Sequence, residues 1–353
     1  MIDKIAGKFL ISFLGDRVNA DKYVIPDLKS ILVIRPGGIG DAVLLLPAIN
    51  TLKTTLPHIN IDILCEKRNA GIFEFSDSVK NIFLYDRDFE LFRCLRKRYD
   101  AVIDTEQWHR LSAIVAHIIK SPIKIGFDTN ERRKLFTYKI PYNHEDYEVY
   151  SFLNLIKPLI NISPQFNPNI PFINIKEVFP SNFLRDNTKK LVAIFPGATV
   201  IERKWGGDKY GMLAKALENR GYNIVILGSN ADRKEAEKIK KHAQSSIDLT
   251  GKTSLKEVAV VLKYSSLLIT ADSGIMHIAY GIGTPTVSLF GSGIEKKWAP
   301  RGENHIILNK HLPCSPCTKF GYTPPCPNNF NCMNFISVDE VISASERILH
   351  KSG

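Results

Sequence analysis

Short apolar runs alternate with stretches of helical period along most of the chain, an alternation that predicts two α/β series separated by a polar, proline-marked interval. In the first series Ser30-Ile31-Leu32-Val33-Ile34-Arg35 reads as a strand, Pro36 to Gly40 as a glycine loop and Ala42 to Leu56 as a helix. Strand-like Ile59 to Cys65, Ile82 to Tyr85 and Ala101 to Asp104 follow, separated by helical stretches such as Phe89 to Arg98 and Leu111 to Ile119. Beyond Gly126 the pattern weakens. Asp128 to Arg133 is polar and charged, and Pro158, Pro164, Pro168, Pro171 and Pro180 mark a linker between Ile160 and Pro180.

The second series opens with the strand Lys190 to Phe195 and the loop Pro196-Gly197-Ala198-Thr199. Helix Asp208 to Arg220, strand Asn223 to Leu227, helix Ala231 to Ala243 and the short strand Ile247 to Leu249 come next. A capping box, Ser254 to Glu257, heads a helix that leads to the strand Leu267-Leu268-Ile269; Thr284 to Phe290 is a further strand. Another capping box, Ser337 to Glu340, heads the final helix, which ends at Leu349. The pattern implies two Rossmann-like parallel-sheet domains, 1–170 and 171–353, facing across a cleft, with the last helix able to pack back on the first domain. Ligands of open α/β sheets bind at the carboxyl ends of the strands, so the function is expected between the halves.

Composition narrows the classes. The 353 residues are 44% hydrophobic and 24% charged, an ordinary globular balance long enough for two cores. The formal charge of +11 calls for an anionic partner: nucleic acid, a nucleotide-linked substrate or an acidic membrane surface. No apolar run reaches the roughly 20 residues of a bilayer span, and Met1-Ile2-Asp3-Lys4 does not open a secretory signal, so a cytoplasmic location is expected. Ile2, Ile5, Phe9 and Phe13 fall at helical spacing with Lys4, Lys8 and Asp16 elsewhere around the helix. Such a helix either caps the first domain or lies peripherally on the inner membrane.

Candidate chemistry concentrates after the strands. Asp272 and Ser273 suit an N-cap, Gly274 permits close approach, and a helix beginning at Ser273 aims its free N–H groups at a diphosphate. His277, one turn in, adds a donor on the same face. An ordinary βα turn with a core histidine fits the same residues. Gly38-Ile39-Gly40 suggests a dinucleotide fingerprint, but Val43 takes the third glycine position and Asp41 would repel a pyrophosphate. Asp41 fits a base that removes a proton from an attacking hydroxyl, and equally an N-cap bonded to the amides of Val43 and Leu44. Cys314, Cys317, Cys326 and Cys332 crowd one loop, a set that in a reducing compartment suggests a structural zinc before disulfides, although the second pair is wide for it.

Three motifs together resemble glycosyltransferase family 9, the ADP-heptose:lipopolysaccharide heptosyltransferases. They are Arg35-Pro36-Gly37-Gly38-Ile39-Gly40-Asp41; Phe195-Pro196-Gly197-Ala198-Thr199 with Lys204-Trp205; and Asp272-Ser273-Gly274-Ile275-Met276-His277. The resemblance runs from Ile31 into the last helix. It implies a GT-B fold and an inverting transfer without metal or resident cofactor, in which the second domain holds an ADP-sugar and the first docks a lipid-linked saccharide. Asp41 matches the family's catalytic aspartate. Thr199, Lys204, Asp272, Ser273, Gly274 and His277 match its donor positions, and Asp232 lies near its nucleoside acid, although a helix-start acid explains Asp232 as well. Val200 departs from members with a second hydroxyl there.

The acceptor side is assigned to Gly38, Gly40, Arg68, Arg110 and Arg132, with Arg133 beside them, since guanidinium groups suit phosphate or sugar-acid carboxylate. Trp108, in Gln107-Trp108-His109, offers a platform for a sugar ring or simply packs. The expected product is a heptosyl or related sugar on a lipopolysaccharide core or similar anionic glycolipid. A UDP-sugar 2-epimerase shares the architecture but needs paired acids that are not evident. A non-catalytic sugar-nucleotide binder is the other rival. Nucleic acid is not expected, because aromatics do not cluster on a basic face beyond Trp108.

Overall fold

The structure is a computed structural model that describes residues 3, 7–14, 27–87, 89–160, 162–177, 189–319 and 321–351. The chain divides into two compact units, Met1–Phe166 and Asn167–Gly353. The first contains α1 (Lys8–Phe13), β1 (Ser30–Arg35), α2 (Ile39–Thr55), β2 (Asn60–Cys65), α3 (Lys67–Phe73) and β3 (Val79–Leu84). It continues through α4 (Glu90–Leu95), β4 (Ala101–Asp104), α5 (Arg110–Ile118), β5 (Ile123–Phe127), β6 (Tyr138–Ile140) and α6 (Glu148–Ile156). Its six strands are parallel, in the order β3-β2-β1-β4-β5-β6.

Strand alternation sorts this core into two layers. Leu32, Ile34, Leu64, Phe83 and Val102 point to one face and pack with Ile11 of α1, Cys94 of α4, and Ala113, Ile114 and Ala116 of α5. Val33 and Ile103 point the other way, toward Leu45, Ala48 and Ile49 of α2 and Phe152, Leu155 and Ile156 of α6. Burial on both faces is why the strands read as unbroken apolar runs.

The second unit contains β7 (Leu191–Phe195), α7 (Gly207–Asn219), β8 (Asn223–Ile226), α8 (Arg233–His242), β9 (Ile247–Asp248), α9 (Leu255–Lys263) and β10 (Leu267–Ala271). Then come α10 (Gly274–Ile282), β11 (Thr286–Phe290), α11 (Glu295–Trp298), β12 (His305–Asn309), α12 (Asn331–Asn334) and α13 (Val338–Lys351). Its parallel order, β12-β11-β10-β7-β8-β9, repeats the topology of the first unit. Both capping boxes form: Ser254 Oγ accepts from the Glu257 N–H, and Ser337 Oγ from that of Glu340. Val341, Ala344, Ile348 and Leu349 of α13 enter the core of this same unit, so the closing helix packs on α7, β10 and β11.

Several expectations change. Ile2, Lys4, Ile5 and Asp16 of the N-terminal helix lie outside the described residues. In α1 the residue that enters the core is Ile11, while Phe9 and Phe13 stand exposed with ring centroids 4.8 Å apart. The interval expected as a linker is tied down over much of its described length. The N–H groups of Phe172 and Ile173 both donate to the Gly281 carbonyl at 2.8 Å, and Ile173 and Ile175 are buried.

Strands β5, β6 and β12 and helix α6 were not apparent from the pattern. In β5 the reason is Lys124, a charge in the middle of an apolar strand. Its buried ammonium donates to the carbonyls of Ala116, His117 and Ile119, where α5 ends and its carbonyls lack helical partners. Lys124→Met therefore strands those carbonyls in a dry site. The expected loss is about 3 kcal/mol of unfolding free energy in urea titration of the full chain; a change within about 0.5 kcal/mol, the scale of an ordinary surface substitution, would show that the capping is dispensable.

Candidate active site

In each sheet the strand order reverses beside the first strand of the unit, between β1 and β4 and again between β7 and β10. Loops leaving these neighbouring carboxyl ends diverge, which opens a crevice there. The three motifs singled out in the sequence all follow β1, β7 or β10.

In the first unit β1 ends at Arg35, whose side chain is 2% exposed. Its Nε donates to the Pro36 carbonyl at 2.6 Å and its Nη1 to that of Thr105 at 3.0 Å. Nη2 lies 3.6 Å from Asp41 Oδ2 and 3.5 Å from Glu106 Oε2. Burial alone would lower the pKa of this guanidinium, but Asp41, Glu106, Glu148 and Asp104 together hold it above its ordinary value. The charge is fixed.

Asp41 is the third residue of α2, whose N-cap is Gly38, so it does not occupy the N-cap position. Its side chain stays 27% exposed beside the Arg35 cation. The turn before it requires glycine at 37, where φ is +101°. The Gly37 N–H donates to Glu66 Oε1 at 3.1 Å, and Glu66 also pairs with Arg68.

Glu106, which drew no notice in the sequence, organises the loop after β4. Its Oε1 accepts from the N–H groups of Gln107 and Trp108, both at 3.0 Å, and of His109 at 3.4 Å. Burial opposes its ionisation, yet Arg35, Arg132 and His109 hold its pKa below the usual range. Tyr142 donates to Glu148 Oε2 at 3.2 Å; burial, Glu148 and Asp41 push its phenol pKa up, so it stays protonated. Trp108 is half-buried.

The arginines assigned to the acceptor are placed unequally. Arg132 is fully buried and donates to Asp104 Oδ2 and to the Glu106 carbonyl, an internal pair in place of a ligand contact. Arg110 is also buried, its Nε and Nη2 on Glu131 Oε2 at 3.0 and 2.6 Å. Arg133 is exposed and pairs with Asp128 at 3.4 Å, and Arg68 is exposed beside Glu66. Of the four arginines put on the acceptor side, Arg68 and Arg133 are the two whose side chains stand exposed.

In the second unit Ser273 caps α10, accepting from the Met276 N–H at 3.4 Å, and its hydroxyl lies 3.1 Å from that of Thr270. Buried Asp272 meets Arg203 Nη1 at 2.9 Å, which fastens the loop after β7 to the end of β10. Arg203 was passed over in favour of its neighbour, yet it is the residue that makes this link. Lys204 is half-buried and forms no ion pair with another described residue. Trp205 anchors that loop through Nε1 to the Ile336 carbonyl at 2.9 Å and an edge contact with Tyr210.

Thr199 is exposed at the mouth of the same loop. Asp232 is buried, its Oδ2 accepting from Ser229 N–H at 2.8 Å and Oγ at 2.7 Å, so this carboxylate closes the turn after β8. Across from Asp272, a Cβ at Gly293 would lie 2.1 Å from Oδ2.

His277 is 4% exposed, and its Nδ1 has no hydrogen-bond partner. Burial drives its pKa down to about 4 against the pull of Asp272, so the ring is neutral near pH 7 and can donate one N–H.

Cys314, Cys317, Cys326 and Cys332 are not gathered into the zinc set that their spacing could have suggested. Among the described residues no three His, Cys, Asp or Glu side chains are arranged to hold a metal ion. Cys332 is buried in the core with Met333, whereas Cys314 is exposed.

Two parallel six-stranded sheets of this order make a GT-B fold. The chain belongs to glycosyltransferase family 9 (heptosyltransferase), which matches residues 89–324, and it is a glycosyltransferase. The match takes in the second-unit residues from Thr199 to His277 and begins after Asp41. Lipopolysaccharide heptosyltransferase 3 of Escherichia coli is 27% identical over 292 residues, 76% of this chain and 85% of that one. A family 9 glycosyltransferase from Veillonella parvula DSM 2008, 22% identical, superposes with a TM-score of 0.78 over 94% of this chain and 100% of its own. The E. coli heptosyltransferase WaaC solved with ADP, 17% identical, gives 0.74 over 90% and 99%.

The neutral state of His277 has a signature in stability. An unfolded histidine titrates near 6.5 and this one near 4, so between those values the unfolded chain binds a proton that the folded chain refuses. The contribution is complete above pH 6.5 and shrinks as pH falls toward 4, by about 1.4 kcal/mol per pH unit. Denaturation of wild type and His277→Gln across pH 4–7 should show the difference between them narrowing with acid; parallel curves would mean that the ring titrates normally.

Proposed function

We propose that the chain is an inverting, metal-independent glycosyltransferase that moves a heptose, or a related sugar, from an ADP-sugar to a lipopolysaccharide-core or similar glycolipid acceptor in the cytoplasm. The observation that carries this reading is Asp41, a carboxylate 27% exposed at the reversal point of the first sheet and 3.6 Å from a buried arginine. ADP in the WaaC structure and the lipopolysaccharide heptosyltransferase among the relatives support the donor and the acceptor class.

In this reading the acceptor hydroxyl gives its proton to Asp41 as its oxygen attacks the anomeric carbon. The bond from that carbon to the β-phosphate oxygen breaks, and ADP leaves carrying the electron pair. Attack opposite the leaving group inverts the centre. The charge that develops on ADP falls to Lys204, the Thr199 hydroxyl, the N–H groups of α10 at Ser273 and Gly274, and the N–H of His277. Asp272 holds Arg203 against this site, and Asp232 shapes the loop that would meet the nucleoside. On the first unit Gly38 and Gly40 leave room for the acceptor and Arg68 supplies a cation for its phosphate.

Asp41→Asn keeps the shape and removes the base, so transfer should fall at least about a hundredfold while ADP affinity holds. Turnover near wild type in that variant would remove Asp41 from the chemistry. Lys204→Ala should weaken ADP about ten- to a hundredfold in calorimetric titration, and Arg68→Ala should leave ADP binding alone while raising the glycolipid concentration required. If Arg68 proves necessary for ADP and Lys204 does not, the donor lies in the other unit. Slow hydrolysis of ADP-sugars in preference to UDP- or GDP-sugars checks the nucleotide without any acceptor in hand.

A further inference from the structure

The helices α1, α4 and α5 share one face of the first sheet, and their outward sides carry a concentration of exposed apolar side chains. Phe9, Leu10 and Phe13 of α1, Phe92 of α4 with Phe89 just before it, and Leu111 and Ile118 of α5 all face solvent, Phe89 at 76% and Phe13 at 72%. The core beneath is filled from the inner sides of the same helices by Ile11, Cys94, Ala113, Ile114 and Ala116. Single exposed hydrophobics are ordinary, but a layer of them marks a surface that meets something. The phenylalanines pair with one another, Phe9 with Phe13 at 4.8 Å and Phe89 with Phe92 at 6.4 Å.

The exposed charges along and around α4 are mostly basic: Arg87, Arg93, Arg96, Lys97 and Arg98 stand against exposed Asp86 and half-buried Glu90. Lys97 pairs with Asp62, and Lys8 of α1 with Glu131. Arg93, Arg96 and Arg98 form no ion pair with another described residue. A protein partner would be met by a groove or a flat apolar patch with a mixed polar rim. Nucleic acid would call for aromatic rings lying along a basic track, whereas these rings stand as two separate pairs on α1 and at α4. Interleaved phenylalanine and arginine on a helical layer suits a bilayer surface, where rings enter the boundary between headgroup and acyl chain and guanidinium groups meet phosphate. Among the described residues no helix is long and apolar enough to cross a membrane, so such an attachment is peripheral.

We propose that the α1, α4 and α5 layer of the first unit docks on an anionic lipid bilayer, with Phe9, Phe13, Phe89 and Phe92 inserted and Arg93, Arg96 and Arg98 on the headgroups. The proposal rests on the reading of the acceptor as a glycolipid, and it sets the unit that carries Asp41 against the surface where such an acceptor is embedded. Its reach extends beyond the N-terminal helix to α4 and α5.

The full chain is sedimented with vesicles of phosphatidylcholine alone and with vesicles containing phosphatidylglycerol. Wild type should bind the anionic vesicles and release as salt is raised. The quadruple exchange Phe9→Ser, Phe13→Ser, Phe89→Ser and Phe92→Ser, and separately Arg93→Glu with Arg96→Glu, should each weaken binding about tenfold or more. Phe335→Ser, an exposed ring of the second unit, should change nothing. Calorimetric ADP binding is followed in every variant and should hold; its loss in wild type would count against the donor site and leave the vesicle result to stand by itself. Equal binding to neutral and anionic vesicles, or no effect of the phenylalanine exchanges, overturns the docking surface. So does a dimer in solution that those exchanges dissociate, because a second copy would then be what covers the layer, and so does tighter binding to duplex nucleic acid than to vesicles.

Discussion

Parallel strands must all be re-entered from the same end, and the right-handed crossover that achieves this fills one face of the sheet when the chain moves one way and the other face when it moves back. In both units the change of direction falls next to the first strand, between β1 and β4 and between β7 and β10. Several of the candidate residues stand where those two connections part. Arg35, Asp41 and Glu106 stand at one parting and Arg203, Asp272, Ser273 and His277 at the other. The hydrophobic strands determine which loops meet, and the loops then need only a few residues of the right kind.

Each parting is built around an arginine that a carboxylate holds. In the first unit Arg35 is set by the carbonyls of Pro36 and Thr105 before it faces Asp41, so the field at Asp41 comes from a charge that does not move with solvent. Arg132 and Asp104 form a second, fully buried pair behind it, with Glu106 between the two arginines. Breaking such a pair from one side leaves an uncompensated charge in a dry site, which is why Arg132 belongs to the scaffold. The second unit uses the same device once, in Arg203 and Asp272.

Much of this was legible in the chain. Apolar runs of four to six residues with glycine or a cap behind them marked β1, β4, β7 and β10, and Ser254, Ser273 and Ser337 start helices where their side chains suggest. What was not legible depended on partners distant in sequence. Lys124 reads as a surface charge until α5 supplies three carbonyls for it, and Arg110 and Arg132 read as ligand cations until Glu131 and Asp104 are seen against them. Arg203 lay beside Lys204, and no local pattern distinguishes a lysine that faces a ligand from an arginine that pins a loop. Phe9 and Phe13 share the period that should have buried them, yet Ile11 took the inward position because it is the residue α5 and the sheet leave space for.

Gly293 makes the second unit intolerant in a particular way. A side chain there would begin 2.1 Å from the carboxylate that holds Arg203, and nothing flexible lies between them. Even alanine would have to push Asp272 aside, and with it the arginine that fixes the loop after β7. Substitutions that recarve this wall from the β11 side would therefore dislodge the loop after β7. Useful diversity in this chain is to be sought from Thr199 and its exposed neighbours, where a substitution disturbs no buried charge.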